Sequence, residues 1–202
     1  MAREYKMVKR REKVEETRRR IAKATYELHS TIGPALATIA LIAEQAGLPR
    51  QTVYRNFGNQ LDLFRSCIAF GLELNPLPDP EGWRSITDPR DRLQVGLTQL
   101  YRWFEGSEAV MTNSLRDYGV VQEAAEKAME PVETGFHRIY ETLAEGWTEE
   151  PPVAPLLSMA VDFSIWKKLH REQGMSSSAI VEMWSELIQC RQSKPRNPSR
   201  LR

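Results

Sequence analysis

The sequence has few of the residues on which disulfide frameworks and metal clusters depend. Its 202 residues include two cysteines, Cys67 and Cys190, and three histidines that stand far apart. Two thiols are too few for a disulfide framework, and no Cys or His spacing is typical of a metal site. The sequence therefore predicts neither a bound metal nor another cofactor.

Long apolar runs are also missing. The longest stretch without Asp, Glu, Lys or Arg covers residues 28–43, and Gly33 and Pro34 interrupt it. This stretch is too short to cross a bilayer. The first twenty residues have no apolar run behind their positive charges, which a secretory signal would need. We expect a cytoplasmic protein with no membrane partner.

Motifs of catalysis are absent from the sequence as well. There is no Gly-rich phosphate loop, no G-x-S-x-G turn, no H-E-x-x-H helix, and no His and Cys pair at motif spacing. The sequence is therefore expected to belong to a protein that is not an enzyme.

The charge that is present is divided unevenly along the chain. Residues 1–57 hold twelve Lys and Arg against six acids, residues 58–186 hold eleven against twenty-one, and residues 187–202 hold five bases and no acid. A basic front on an acidic body favours a polyanion that meets only the front. Two solvated basic termini would explain the charge pattern equally well.

Apolar residues recur at helical spacing through the whole chain, with no clear alternation of period two, so we predict an all-α fold of about nine helices. The first includes Val14–Leu28, two short ones lie between Thr38 and Phe57, and a fourth begins at Asn59, with Thr38 and Asn59 as the expected N-caps. Later helices are expected over residues 93–104, 110–118, 125–147, 156–169 and 180–188. Pro131 should kink the third of these, and the prolines between residues 75 and 89 predict a loop.

Three regions follow from this pattern. Residues 1–58 are expected to form a helix-turn-helix head with a basic N-terminal arm, and residues 59–191 a helical body. Residues 192–202, rich in Pro, Ser and Arg, are expected to be a disordered basic tail.

The most specific signal lies in the head. Two short helices separated by a tight turn at Gly47 and Leu48, with a third helix behind them, form the arrangement that places its second helix in a DNA major groove. At 100° per residue Val53 and Phe57 share the inward face of that helix. The outward face then holds side chains that can bind base edges and phosphates, namely Arg50, Gln51, Thr52, Tyr54 and Arg55.

Residues 20–64, and above all the string IAEQAGLPRQTVYRNFGNQLDLF, resemble the N-terminal domain of the TetR family of bacterial transcriptional repressors. The resemblance implies that the five outward residues face DNA and that Thr38 meets a phosphate. It also implies a double-stranded DNA operator, a homodimer, and a small-molecule effector that releases the DNA through a population shift.

Two positions depart from the family pattern. Pro49 stands where the family usually has a small hydroxyl residue, so we expect the reading helix to lack a side-chain N-cap. Gln60 stands where a lysine usually lies against the DNA backbone, so one phosphate contact is expected to be weaker.

The basic run over residues 9–23 allows two interpretations. Pairs such as Glu15 with Arg19 support a solvated extension of the first helix. The rival interpretation is an arm that follows the phosphates or enters the minor groove, and we include Arg18 and Arg19 among the predicted DNA contacts.

The body is expected to hold an effector and a dimer interface. Aromatic and Met residues of the middle helices would suit an apolar or aromatic effector: Leu97, Tyr101, Phe104, Met111, Leu115, Phe136, His137 and Tyr140. The last two helices carry more large apolar surface than one chain was expected to cover, at Phe163, Trp166, Met183, Trp184 and Leu187. The sequence thus predicts a ligand-responsive repressor of a palindromic operator. A helical adaptor and a ligand-independent regulator are the alternatives.

Overall fold

The computed structural model describes residues 2–147 and 152–192. Within these ranges the chain forms helices and no strand, which confirms the all-α prediction. The α-helices are α1 (Ala2–Thr31), α2 (Ile39–Gln45), α3 (Arg50–Asn56), α4 (Gln60–Leu74), α5 (Pro89–Ala144), α6 (Val153–Ala160), α7 (Phe163–Lys167) and α8 (Ser177–Gln192). A 3-10 turn, Pro80–Trp83, precedes α5, and a π-helical segment, Lys168–Glu172, follows α7.

Two compact units share the chain. Unit 1 contains the described residues of Met1–Pro76 and Ser107–Glu133, and unit 2 those of Leu77–Gly106 and Thr134–Arg202. The middle of α5 therefore belongs to unit 1 and its two ends to unit 2. The expected boundaries at residues 58 and 191 concern what folds independently, and they stay predictions. None of the described helices has both the length and the apolar character needed to cross a membrane.

The helix-turn-helix of unit 1 is held by one apolar cluster. Ile21 of α1, Ile42 of α2 and Val53 of α3 are almost completely buried in it, and Phe57 and Leu63 are also buried members of this cluster. Burial of each such side chain is worth about 1.5–3 kcal/mol relative to exposure. This cluster fixes α2 and α3 to α1 by their inner faces and leaves their outer faces to solvent.

A second apolar cluster of unit 1 lies on another face of α4. Phe64 packs there with Val121, Ala125 and Ala128 of α5, and Leu61 and Ile68 border it. Because Leu63 belongs to the first cluster and Phe64 to the second, α4 is buried on two sides. The middle of α5 is thus part of the core that supports the head.

Helix α5 corrects two predictions about the body. It runs without a break through Gly106 and Ser107, where two separate helices were expected. The kink lies at Val121, with φ −113° and ψ 15°, and not at Pro131, which sits inside the helix. Counting the parts of α5 on either side of Val121 separately gives nine α-helices in the described residues, as predicted.

In unit 2 the two ends of α5 lie side by side and antiparallel. The Arg92 guanidinium donates to the Glu145 carbonyl, and the Phe104 and Phe136 rings stack with centroids 6.1 Å apart. Gly96 stands where a Cβ would collide with the Leu143 side chain, so the absence of a side chain permits this close approach.

The helix expected over residues 156–169 is divided in the structure. Helix α6 ends at Ala160, and the Asp162 carboxylate accepts from the Ile165 amide at 2.9 Å to begin α7. Gly174, with φ +69°, lies just after the π-helical segment Lys168–Glu172, where a glycine is expected to stop a helix. The predicted disordered tail lies outside the described residues, except for Gln192, the last residue of α8.

Candidate nucleic-acid interface

Helix α3 has one buried face and one exposed face. Val53 is completely buried, whereas Arg50, Gln51, Tyr54 and Arg55 are exposed, with Tyr54 63% accessible. The sequence pattern predicts a helix of nine residues, from Pro49 to Phe57. The helix has seven residues, because Pro49 and Phe57 are its caps. The exposed face combines a phenol, an amide and two guanidinium groups, which can donate to base edges and phosphates.

The turn before α3 is closed by backbone hydrogen bonds. The Gly47 amide donates to the Glu44 carbonyl and the Leu48 amide to the Ala43 carbonyl, both at 2.9 Å. Gly47 has φ +63°, a conformation that glycine adopts without steric cost. This tight turn sets the angle between α2 and α3.

Both predicted side-chain caps next to the reading helix are confirmed. The Thr38 hydroxyl accepts from the Leu41 amide at 3.3 Å at the start of α2, and the Asn59 side chain accepts from the Asp62 amide at 2.8 Å at the start of α4. Thr38 is exposed, as is Gln60, the first residue of α4. Exposed amides at such helix N-termini are suited to bind phosphate oxygens.

The N-terminus of α3 lacks a side-chain cap, as predicted from Pro49. The missing hydrogen bond is worth about 0.5–2 kcal/mol in a helix that has a Ser, Thr, Asp or Asn at this position. Pro49 itself has φ −62° and ψ 142°, the extended conformation that is typical of an N-cap residue.

Arg18 and Arg19, two of the predicted DNA contacts, have partners within unit 1. The Arg18 guanidinium donates to the Asn56 carbonyl at the end of α3 and lies 4.4 Å from the centre of the Phe57 ring. Arg19 pairs with Glu73 of α4. Both cations are therefore engaged within unit 1, where Arg18 also balances the negative end of the α3 dipole.

Arg20 completes this arrangement, and the sequence analysis missed its role. Its guanidinium donates to the Ala46 carbonyl at 2.8 Å, at the end of α2. Arg18 and Arg20 thus hold the ends of α3 and α2 against α1. Only the i,i+4 charge pairs could be seen in the sequence, since the true partners lie 26 to 54 residues away.

A polar network joins the end of α1 to α5 within unit 1. The Asn113 amide donates to the His29 and Ser30 carbonyls at 3.0 and 2.8 Å, and Arg116 donates to the Ile32 carbonyl at 2.8 Å. Asp117 accepts from Arg116 and from the Ala35 amide. The hydrogen bonds from Arg116 lower the pKa of the Asp117 carboxyl. We refer to Asn113, Arg116 and Asp117 as the α5 latch.

His29 and Cys67 are buried next to this latch. The Cys67 sulfur lies 3.5 Å from Nδ1 of His29, whose ring packs on Phe64. Burial lowers the pKa of His29 to about 4 and raises the pKa of the Cys67 thiol to about 12. The thiol is therefore protonated and unreactive, and it behaves as a small apolar side chain in the core.

The predicted dimerisation residues divide into buried and accessible groups. Phe163, Trp166 and Trp184 are buried within this single chain, with Trp166 completely inaccessible. The argument that one chain could not cover their surface was therefore wrong. Met183 is half-buried and Leu187 is 36% exposed, so these two residues of α8 remain available to a partner.

The predicted effector residues do not all lie in one unit. Met111 and Leu115 belong to unit 1, and Leu115 is 54% exposed. His137 lies on the surface of unit 2, where it is 3.2 Å from Glu141. His137 is therefore outside the interior of unit 2.

Of the remaining effector residues, Tyr101, Phe104 and Phe136 belong to an aromatic cluster in unit 2. Leu97, Tyr101 and Phe104 are completely buried, while Phe136 and Tyr140 are half-buried. The rings in contact within this cluster are Tyr101, Trp103, Phe104, Phe136, Phe163 and Trp166. Also in unit 2, the hydroxyl of the buried Thr142 has no hydrogen-bond partner among the described residues.

A helix-turn-helix with a buried inner face and a basic, amide-rich outer face defines the class of protein: it is a DNA-binding domain of a transcriptional regulator. Residues 21–67 match the family model for bacterial regulatory proteins of the tetR family. This match confirms, for residues 21–67, the resemblance noted in the sequence.

Two solved structures share the fold of the chain. One is NalD, the secondary repressor of the MexAB-OprM multidrug efflux pump in Pseudomonas aeruginosa, with 20% identity, a TM-score of 0.60, and coverage of 89% of this chain and 96% of NalD. The other is a proposed fatty acid metabolism regulator from Clostridium perfringens, with 19% identity, a TM-score of 0.56, and coverage of 84% and 96%. No curated relative matches the chain by sequence. The chain is a DNA-binding transcriptional regulator.

Proposed function

We propose that the protein binds a palindromic operator as a homodimer and represses transcription from it until a small apolar or aromatic effector releases the DNA. The observation that carries the proposal is the exposed face of α3, with Arg50, Gln51, Tyr54 and Arg55 opposite the buried Val53. Arg can bind guanine O6 and N7 with two hydrogen bonds, and Gln can bind adenine N6 and N7 in the same way.

A dimer follows from the size of the reading helix. Seven residues of α-helix extend about 10 Å and can reach only a few base pairs. Two copies related by a two-fold axis, with half-sites about 34 Å apart, multiply the discrimination of one. Met183 and Leu187 of α8 are the proposed interface residues that keep accessible surface.

The proposed effector site is the interior of unit 2. Leu97, Tyr101, Phe104 and Phe136 supply an apolar and aromatic surround. The unpartnered hydroxyl of Thr142 would suit an effector that carries one polar group. NalD, whose fold is similar, is a repressor of an efflux pump, which is consistent with control by a small molecule.

A ligand-independent regulator is the second candidate, and one observation favours it. Tyr101, Phe104 and Trp166 already pack against one another, and the Tyr101 hydroxyl donates to the Ala160 carbonyl at 2.8 Å. An effector would have to displace contacts that contribute to the stability of unit 2.

Selection from random DNA duplexes tests the proposal. The purified protein should enrich a site with two-fold symmetry and half-sites about one helical turn apart, and it should elute as a dimer. Apolar and aromatic compounds are then screened for release of that site. An asymmetric site or a monomeric complex would contradict the dimer, and an adaptor would enrich no DNA sequence at all. Release by no compound would support the second candidate.

A further inference from the structure

One face of α1 changes its character along the helix. Near the C-terminus of α1, this face holds Ile21, Ala24 and Leu28, which pack in the cluster that contains α2 and α3. Toward the N-terminus, steps of three or four residues along the same face lead to Thr17 and then to two exposed bases, Lys13 and Arg10. We refer to these two residues as the basic stripe.

The basic stripe lies on the side of α1 that carries the helix-turn-helix. The contacts of Arg18 with the end of α3 and of Arg20 with the end of α2 stand on either side of this face. The acids of the same segment fall elsewhere, because helical geometry places Glu12, Glu15 and Glu16 on the opposite side. Positive charge in the extension is thus directed to the side of the reading helix.

The extension projects beyond the packed head. All side chains from Met7 to Glu16 are exposed, including those of Arg10 and Lys13. Within the described part of the chain, these two cations form no ion pair. The segment from Ala2 to Glu16 is helical and about 22 Å long, which corresponds to roughly six base pairs of duplex.

We propose that the basic stripe of α1 is a second DNA-binding site, which binds the phosphates that flank the half-site read by α3. This inference rests on the proposed operator binding and extends it from the reading helix to the N-terminal extension. Lys and Arg side chains outside the reading helix are suited to bind phosphates, which position the protein and carry no sequence information. The stripe therefore adds affinity and salt dependence without adding sequence preference.

A helical segment of about fifteen residues with exposed sides is marginally stable alone. Phosphates along the stripe neutralise the repulsion between Arg10 and Lys13, which are three residues apart. DNA binding is therefore expected to increase the helical content of the extension.

Neighbouring arginines provide a matched test. Arg10 lies on the stripe and Arg11 lies about 100° around the helix, and both are exposed. On the selected operator, Arg10→Gln should flatten the plot of log K against log salt by about one unit per protomer, while Arg11→Gln leaves it unchanged. Adding Lys13→Gln to Arg10→Gln should flatten the slope by about two units per protomer and weaken binding at about 50 mM salt at least tenfold.

Hydroxyl-radical footprinting provides a second readout. Wild type should protect sugars outside the half-site, and Arg10→Gln/Lys13→Gln should lose that flanking protection while it keeps the protection under α3. Equal slopes for wild type and the double variant, or equal flattening by Arg10→Gln and Arg11→Gln, would overturn the stripe and leave operator binding intact. A wild-type protein that binds no duplex would instead overturn the proposed function.

Discussion

The helix-turn-helix of unit 1 and the aromatic interior of unit 2 use their side chains in opposite ways. In the head, aliphatic residues such as Ile42 and Val53 pack the helices against one another, while the large polar side chains Arg50, Tyr54 and Arg55 face solvent. In unit 2 the largest side chains, Tyr101 and Trp166 among them, are inside. A surface built from polar groups on a rigid support can read another molecule directly, whereas buried rings act first on stability.

This comparison predicts that substitutions in the two regions separate stability from DNA binding. Loss of a buried ring should destabilise the protein, and loss of an exposed head side chain should change binding with little change in stability. The predictions below follow this contrast, beginning with the largest effect.

Removal of the most buried ring should have the greatest cost. Trp166→Ala leaves a cavity against Tyr101 and Phe104 and should lower the free energy of unfolding by about 3–5 kcal/mol, measured by urea denaturation. The control is Met159→Ala, at an exposed position of unit 2, with an expected loss below about 1 kcal/mol. Equal losses for the two variants would show that the aromatic cluster is not a close-packed core.

His29 should make the stability of unit 1 depend on pH. Because burial lowers its pKa from 6.5 to about 4, the unfolded state binds the proton more readily. The contribution of the buried neutral His29 to the free energy of unfolding is therefore complete above pH 6.5 and falls as the pH drops toward 4. The total loss amounts to about 3 kcal/mol. Denaturation of wild type and His29→Gln across this range should show the difference.

His137→Gln is the control for the replacement of a histidine as such, since His137 is exposed and lies in unit 2. The Asp117 carboxylate contributes unfolding free energy that is complete above its ordinary pKa of 3.8 and is lost as the pH falls below that value, because its pKa is lowered in the folded state. Parallel profiles for wild type and His29→Gln between pH 6.5 and 4 would contradict the burial of a neutral imidazole.

The α5 latch should be sensitive to one methyl group. Gly33 has φ +92°, and a Cβ at this position would collide with Arg116 and Asp117. Gly33→Ala should cost about 1–3 kcal/mol of unfolding free energy. Gly58→Ala is the matched control, because nothing lies within 4 Å of its added Cβ. A neutral Gly33→Ala would mean that the latch contributes no close packing.

Gln60→Lys should alter binding rather than stability. The added charge at the exposed start of α4 is expected to tighten operator binding and to steepen its salt dependence by about one unit per protomer. Gln173→Lys introduces the same charge at an exposed position of unit 2 and serves as the control. An unchanged slope for Gln60→Lys would show that residue 60 does not approach a phosphate.

Local signals in the sequence predicted local structure well. Thr38 and Asn59 were found as caps because a cap depends on residues three positions away. The end of α2 at Gly47 and the two faces of α3 followed from the same short-range rules.

Long-range partners were beyond the reach of such patterns. The pairing of Arg19 with Glu73, 54 residues away, could not be seen in the sequence, and Asp117 was not singled out because it accepts from Ala35, 82 residues away. Periodicity identified Phe163 and Trp166 as apolar, but it could not show that Phe104 covers them within the same chain.

The exposed face of α3 is tested most directly by operator binding of Arg50→Ala/Arg55→Ala beside Arg65→Ala, a matched change at an exposed position of α4. If α3 reads base edges, the double variant should keep the unfolding free energy of wild type and lose both affinity and site preference. Each arginine should account for about 1–3 kcal/mol per half-site, and Arg65→Ala should retain the site preference. A double variant that selects and binds the wild-type site with unchanged affinity would contradict the account.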